Sequence, residues 1–353
     1  MKTTSKATKN MFSKIRSRIV PDIGIDLGSM NTRVFVKGKG VVLEVPTVVA
    51  IRLDSKRVLA VGEEAKEMLG RTPGNIVAVR LLKGGVIADY DLTEAFFRYV
   101  FGKVFTRPWW ARCFKPRAVI AVPPGITEVE KCVVETAAHA VGVGDVFLIE
   151  RSMVAAIGAG LPVSEPKGCM IVDIGASTCD VAIISLAGIV HSCCLPTAGD
   201  VLTSSIVDYF HGQNLDIGGC DAEAVKISIG SVSPTESEQS MEVNGRDSET
   251  GKPKTQKVSS EAIREALKKP VSDIVDAVRK TLMRSEPQLF ADLKGSVGIV
   301  LSGGRSLLRG LDKLLSKEVG IPVCLADNPM SATVDGVGVV LGEIDYLVKN
   351  RKK

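Results

Sequence analysis

An α/β fold in two lobes is what this sequence predicts, and three observations predict it. The order strand, Asp-x-Gly, small polar tip, strand occurs twice, at residues 22–37 and 170–186. Strand-like and helix-like stretches alternate along most of the chain. The length of 353 residues exceeds one ordinary core.

Bulk properties bound the answer further. Hydrophobic residues make up 45% and charged residues 24%, a globular balance rather than a disordered one. The formal charge of +5 is modest, and no nucleic-acid partner is expected from it. Eight cysteines lack the short, even spacing of a disulfide framework, and Cys193 and Cys194 are adjacent. With no signal peptide evident, reduced thiols in a cytosolic protein fit better. His139, His191 and His211 are scattered and no CxxC pair exists, so no His/Cys metal cluster is expected.

In chain order, residues 1–21 carry six Lys or Arg and no acid before Pro21, with Met11, Phe12, Ile15 and Ile19 at helical spacing. One face would be oily and the other cationic, a pattern suited to the headgroup region of an anionic membrane but too short to span it. A disordered basic tail and a mitochondrial transit peptide share that composition. The first hairpin follows, then short strands and a helix over residues 42–75. An amphipathic helix is expected over 92–105, a strand over 117–122, a helix over 127–141, a strand over 145–149 and a helix over 152–160. Between the first two of these lies a basic loop, residues 106–116, holding Trp109 and Trp110, both tryptophans of the chain. Paired indoles on such a loop are comfortable at a bilayer interface, although burial is the commoner fate of tryptophan. After the second hairpin come a helix over 202–210, a polar loop over 231–240 and an amphipathic helix over 260–282 capped by Ser259 or Ser260. A glycine turn, Ser302-Gly303-Gly304, then runs from a strand into a helix expected over 306–315.

The hairpin tips carry the chemistry. Gly175, Ala176, Ser177 and Thr178 are small enough for backbone N–H groups and hydroxyls to approach an anion closely. Asp173, at the end of the incoming strand, is suited to hold Mg2+ through water beside phosphates. Asp26 and the tip Gly28, Ser29, Met30 and Asn31 repeat the arrangement, so two hairpins would grip one polyphosphate. The third glycine turn would leave room for a flat base.

These motifs, with Glu63–Asn75, Gly85–Asp91, Gly125–Glu130 and Ala155–Pro162, resemble the actin, sugar kinase and heat-shock chaperone superfamily of ATP-binding proteins. Within it the chain is similar to the bacterial cell-shape actins of the MreB family, from about Asp22 to Glu343. The resemblance implies a two-lobed, duplicated ribonuclease H-like fold. Residues 22–42, 76–154 and 328–348 would form subdomain IA, 43–75 IB, 155–195 and 259–327 IIA, and 196–258 IIB, with 1–21 a membrane-binding segment. Ser29 to Asn31 would form the first phosphate loop and Gly175 to Thr178 the second. Glu223, Ala224, Val225 and Lys226 would meet ribose and base, Gly303, Gly304, Arg305 and Ser306 would close over adenine, and Asp26 and Asp173 would face Mg2+. The bland reading of Glu223 and Lys226 is a surface ion pair. The N-terminal helix and the tryptophan loop would contact the membrane.

Four positions depart from the family pattern. Ala176 and Ser177 stand where the second loop normally has glycines, narrowing the backbone approach. Arg305 replaces a third glycine, with its guanidinium expected to stack on the base. Arg151 replaces the second glutamate of a Glu-Glu-Pro sequence, which orients the attacking water. An arginine cannot accept that water's proton, a loss on the order of 10² to 10⁴ in rate. Glu150 is a weak substitute, because a neighbouring helical residue points about 100° away.

The expectation is therefore a membrane-associated, filament-forming protein on the inner face of the plasma membrane. It would bind ATP and Mg2+, hydrolyse ATP slowly or not at all, organise cell-wall synthesis and partner copies of itself and cell-elongation membrane proteins. A non-polymerising regulatory paralogue, or a kinase or chaperone ATPase of the superfamily, is the alternative.

Overall fold

The computed structural model describes residues 20–87, 89–105, 115–234, 237–295 and 298–350. Met11, Phe12, Ile15, Ile19, Trp109 and Trp110 lie outside the described residues. Among the described helices, none is long and apolar enough to cross a membrane. The chain divides into two compact units, residues 1–154 with 333–353, and residues 155–332.

The first unit is built on a five-stranded sheet in the order Val146–Glu150, Ala118–Val122, Ile23–Leu27, Asn31–Val36, Gly40–Pro46. Ile23–Leu27 is central and buried at every position. It pairs antiparallel with Asn31–Val36 and parallel with Ala118–Val122. Asn31–Val36 alternates buried and half-buried, the period-two signature of a strand with one face on a core. That core includes Phe96, Phe97 and Phe101 from the helix Tyr90–Val104. The helix Glu128–Ala140 starts at a capping box in which Thr127 and Glu130 satisfy each other's backbone donors.

A smaller sheet, Val58–Val61, Val48–Arg52, Ile76–Arg80, carries the helix Glu63–Glu67. It runs past the boundary at residue 75 expected from the sequence, because Ile76–Arg80 supplies the strand that pairs along the full length of Val48–Arg52.

The second unit repeats the topology. Its sheet runs Gly188–Leu195, Cys179–Ser185, Cys169–Ile174, Ile299–Ser302, Val323–Leu325: an antiparallel meander followed by two parallel strands. The helix Ser260–Met283 packs Ile263, Leu267, Ile274 and Val278 into the core beneath. Its N-cap is Ser259, whose hydroxyl accepts from the Ala262 N–H at 3.3 Å.

One expected element is broken. A continuous helix over 306–315 is replaced by a 3-10 turn, Gly304–Leu307, and a separate helix, Leu311–Val319. Gly310 between them has φ of 80°, and a Cβ there would lie 2.1 Å from Ser233 Oγ. The backbone turns extended at Leu308 and left-handed at Gly310, and Arg309 between them bridges to Ser231, which ends the helix where periodicity alone would carry it through.

A buried ion pair ties the first unit together. Asp22, 1% exposed at its side chain, accepts from Arg117 through Nε at 3.0 Å and through Nη2, and from the Arg117 backbone N–H at 3.2 Å. Arg117 Nη1 also reaches Asp345 Oδ1 at 2.6 Å, fastening the helix Ile344–Asn350. Removing one partner of such a pair strands a buried charge. Arg117→Met should therefore lower unfolding free energy by roughly 3–5 kcal/mol, measured by chemical denaturation.

Candidate functional site

Both aspartates singled out in the sequence stand near the C-terminal ends of central strands, where open α/β sheets place their ligands. In the second unit the tip Gly175–Thr178 closes on itself, with the Gly175 N–H donating to Thr178 O at 2.9 Å. The helix Gly199–His211 docks onto this tip, its Asp200 N–H donating to Ala176 O at 2.7 Å. Ser177 Oγ donates to Asp200 Oδ2 at 2.8 Å. Neither Ala176 nor Ser177 adopts a positive φ, so the methyl and hydroxymethyl groups add no backbone strain.

The glycine turn lies against the same tip. Ile299–Ser302 pairs with Cys169–Ile174 in a register that puts Ser302 beside Asp173, and Ser302 Oγ donates to Asp173 Oδ1 at 2.9 Å. Gly303 has φ of 82°, and a Cβ on it would lie 2.3 Å from Ile174 O and 2.8 Å from Asp173 Oδ1. Only glycine fits there. Ser306 braces the turn from inside, donating its hydroxyl to Gly303 O at 2.6 Å.

Beside the turn opens a cavity of about 280 Å³, lined by Leu202, Glu223, Lys226, Ile227, Gly230, Gly304, Arg305, Leu307 and Met330 among others. That is near the lower end of small-ligand pockets, roughly 300–1,000 Å³. The helix Gly219–Ile229 presents Glu223, Lys226 and Ile227 to it, positions three and four apart on one face. Val225 belongs to the hydrophobic core and Ala224 is exposed, so the contiguous run 223–226 is split between faces. Gly304 and Arg305 line the cavity.

Lys226 is not the exposed partner of a surface pair. Its side chain is 6% exposed. The ammonium donates to Thr203 Oγ1 at 2.8 Å, to Gly199 O at 3.2 Å and to Glu223 Oε2. Glu223 also accepts from Thr203 Oγ1 at 2.6 Å and pairs with Arg305 Nη2 at 3.1 Å. The Arg305 stem lies flat on Gly199, where a Cβ would come within 2.4 Å of Nε. The guanidinium expected to stack on a base is thus held in the cavity wall by Glu223. Burial holds the Lys226 ammonium below the usual lysine range. Burial also opposes the Glu223 charge, but hydrogen bonds from Lys226 and Thr203 outweigh it and hold the carboxyl below its usual range.

In the first unit the tip is equally tight. A Cβ on Gly28 would lie 2.3 Å from Asn31 O. Asn31 Nδ2 donates to Glu44 Oε1 at 2.9 Å, and the Met30 carbonyl accepts from the Thr47 N–H at 2.9 Å. Ser29 is buried. Glu150 closes the strand Val146–Glu150, and Arg151 opens the helix Arg151–Gly158. It is the arginine that reaches Asp26, donating through Nη2 to Oδ1 at 2.9 Å and to Leu27 O at 2.8 Å. Both side chains are about nine-tenths buried, at 9% and 11% exposed. Sequence reasoning recognised both residues and missed their contact, because they stand 125 positions apart. It also missed Thr203 and Asp200, whose signal is one helical turn and one residue from Gly199.

For Mg2+, the donor sets of the two tips differ. Among the described residues no group of three or more His, Cys, Asp or Glu could hold a metal ion. Asp26 is already neutralised by a guanidinium and fits a divalent ion poorly. Asp173 accepts a neutral hydroxyl and suits an ion bound through water.

A duplicated sheet with an Asp-ended strand and a small-residue tip in each unit is the architecture of the actin-like proteins. The MreB/Mbl protein family model matches residues 20–349, and the chain belongs to that family. The cell shape-determining protein Mbl of Bacillus cereus is 46% identical over 329 residues, covering 93% of this chain and 98% of that protein. The cell shape-determining protein MreB of Escherichia coli strain K12 is 44% identical over 344 residues, covering 95% and 97%. Among solved structures, MreB5 of Spiroplasma citri bound to AMPPNP aligns with a TM-score of 0.86 at 34% identity, covering 94% of this chain and 98% of that one. The MamK double helical filament, at 22% identity and TM-score 0.74, shares the fold.

The Glu223 network gives a pH dependence of definite sign. Its folded pKa lies below the ordinary 4.5, so its stabilisation is present above that value and is lost as pH falls through the folded one. Melting temperature followed from neutral pH into the acid range should fall more steeply for the natural chain than for Glu223→Gln.

Proposed function

We propose that this chain is an ATP-binding, filament-forming cytoskeletal protein that determines cell shape by organising cell-wall synthesis. The observation that carries the nucleotide part is a small cavity lined by Glu223, Lys226, Gly304 and Arg305, opening beside a glycine turn that itself lies against the strand leading into the tip Gly175–Thr178. Support comes from the MreB5 structures of Spiroplasma citri, bound to AMPPNP and to ADP at 34% and 33% identity. In this proposal adenine lies beside Gly304 and Arg305, ribose meets Glu223 and Lys226, and the phosphates run toward Ser177 and Thr178. Asp173 carries any Mg2+ that accompanies the nucleotide, mostly through water. The cell-shape role is supported by the names and coverage of the Mbl and MreB relatives.

Membrane attachment through Met11, Phe12, Ile15, Ile19, Trp109 and Trp110, on the inner face of the plasma membrane, rests on the sequence pattern and on the resemblance to the family. Partners among cell-elongation membrane proteins rest on the resemblance to the family. Turnover is slow in this proposal, because the position expected to orient the attacking water holds a buried, ion-paired Arg151 that cannot act as a base. ATP then acts chiefly by favouring the polymerising conformation through differential affinity.

The altered residues Arg151, Ala176, Ser177 and Arg305 favour one second reading, a regulatory paralogue that does not polymerise. Sedimentation of the purified chain with ATP separates the two: a pelleted fraction containing filaments by electron microscopy is expected, and failure to pellet under any nucleotide condition would leave the regulatory reading. Phosphate release from the polymer should be slower by about 10² or more than from a bacterial actin that keeps its glutamate, assayed alongside. Equal rates would remove the slow-turnover part. Lys226→Met should weaken labelled-ATP binding about tenfold, the worth of one charge-assisted hydrogen bond.

A further inference from the structure

Three cations and one carboxylate line the cavity beside the glycine turn. Among the described residues Glu223 is the one lining side chain that ends in oxygen, set against Lys226, Arg305 and Arg309. The remainder of the lining is apolar or glycine. Ile227, Leu307 and Met330 stand exposed at the cavity, apolar surface that a flat ring would cover.

The three cations are committed differently. Arg309 donates through Nη1 to Gln239 Oε1 at 2.6 Å and through Nη2 to Ser228 O at 2.8 Å. Lys226 is held by Thr203, Gly199 O and Glu223 on the side that meets ribose in the reading above. Arg305, its stem seated on Gly199, donates through Nη2 to Glu223 Oε1 at 3.1 Å. Glu223 thus fixes at the wall a planar group with five N–H donors and no acceptor.

A base beside such a group is sorted by what its edge offers. Guanine presents two adjacent acceptors, O6 and N7, which fit a guanidinium fork, whereas adenine presents N7 next to an amino group that is itself a donor. With the one lining carboxylate given to ribose, that amino group meets donors where it needs an acceptor. A glycine at position 305 would not tell the two bases apart. Resting on the nucleotide placement proposed above, we propose that Arg305 selects the base, so that the cavity takes guanine nucleoside triphosphates in preference to ATP.

The test is isothermal titration calorimetry of the full chain in excess Mg2+ with GTP, ATP and inosine triphosphate, which keeps O6 and N7 and lacks the 2-amino group of guanine. GTP should bind at least about fivefold more tightly than ATP, the low end for a bidentate arginine–guanine pair, and inosine triphosphate should fall closer to GTP than to ATP. Arg305→Gly should bring GTP and ATP within about twofold of each other. A smaller ratio in the natural chain, inosine triphosphate closer to ATP, or an undiminished preference in Arg305→Gly would overturn base selection while leaving nucleotide binding intact. Absence of binding by all three nucleotides would overturn nucleotide binding itself, and this proposal with it. If Arg305→Gly does not fold, the three titrations of the natural chain decide.

Discussion

A buried carboxylate at the end of a strand cannot stay charged alone, and that constraint organises each unit of this protein. Asp26 and Asp173 are both buried. Each needs a donor brought by a distant part of the chain, and the two units answer differently. Arg151 arrives on a helix to neutralise Asp26, and Ser302 arrives on a parallel strand to hydrogen-bond Asp173. The glycines at 28 and 303 follow from the same crowding, since backbone must pass within van der Waals contact of the tips.

Much of the fold was legible because its signals are local. Both hairpins announce themselves by β-prone residues running into Asp-x-Gly and a side-chain-poor tip, and both pair in the register this implies. The capped helices at Thr127 and Ser259 are readable for the same reason. The break before Gly310 was not, because it goes with the bridge of Arg309 to Ser231, a contact from elsewhere in the chain. The site followed the same division. Its residues could be named, but the run 223–226 could not be sorted into wall and core without knowing which helix face turns inward. The arrangement i, i+3, i+4, i+7 gives Glu223, Lys226, Ile227 and Gly230 to the cavity and Val225 to the core.

Two arginines that depart from the pattern the resemblance implies each enter an ion-pair network. In one unit Arg305 joins Glu223 and Lys226, its stem needing Gly199 beneath it. In the other Arg151 joins Asp26. Each places an arginine against a carboxylate, and each adds a fixed, desolvated positive charge at a place assigned to nucleotide by the resemblance. Planar guanidinium groups suit this work, since they keep their charge when buried and hold two acceptors at once. In this account binding is retained and chemistry is slowed.

The most direct measurement is a crystal structure of the full chain grown with AMPPNP. The account predicts adenine seated beside Gly304 and Arg305, with ribose hydroxyls in hydrogen-bond reach of Glu223 or Lys226. AMPPNP bound elsewhere, with the cavity empty and the Glu223–Lys226–Arg305 network unchanged, would contradict it.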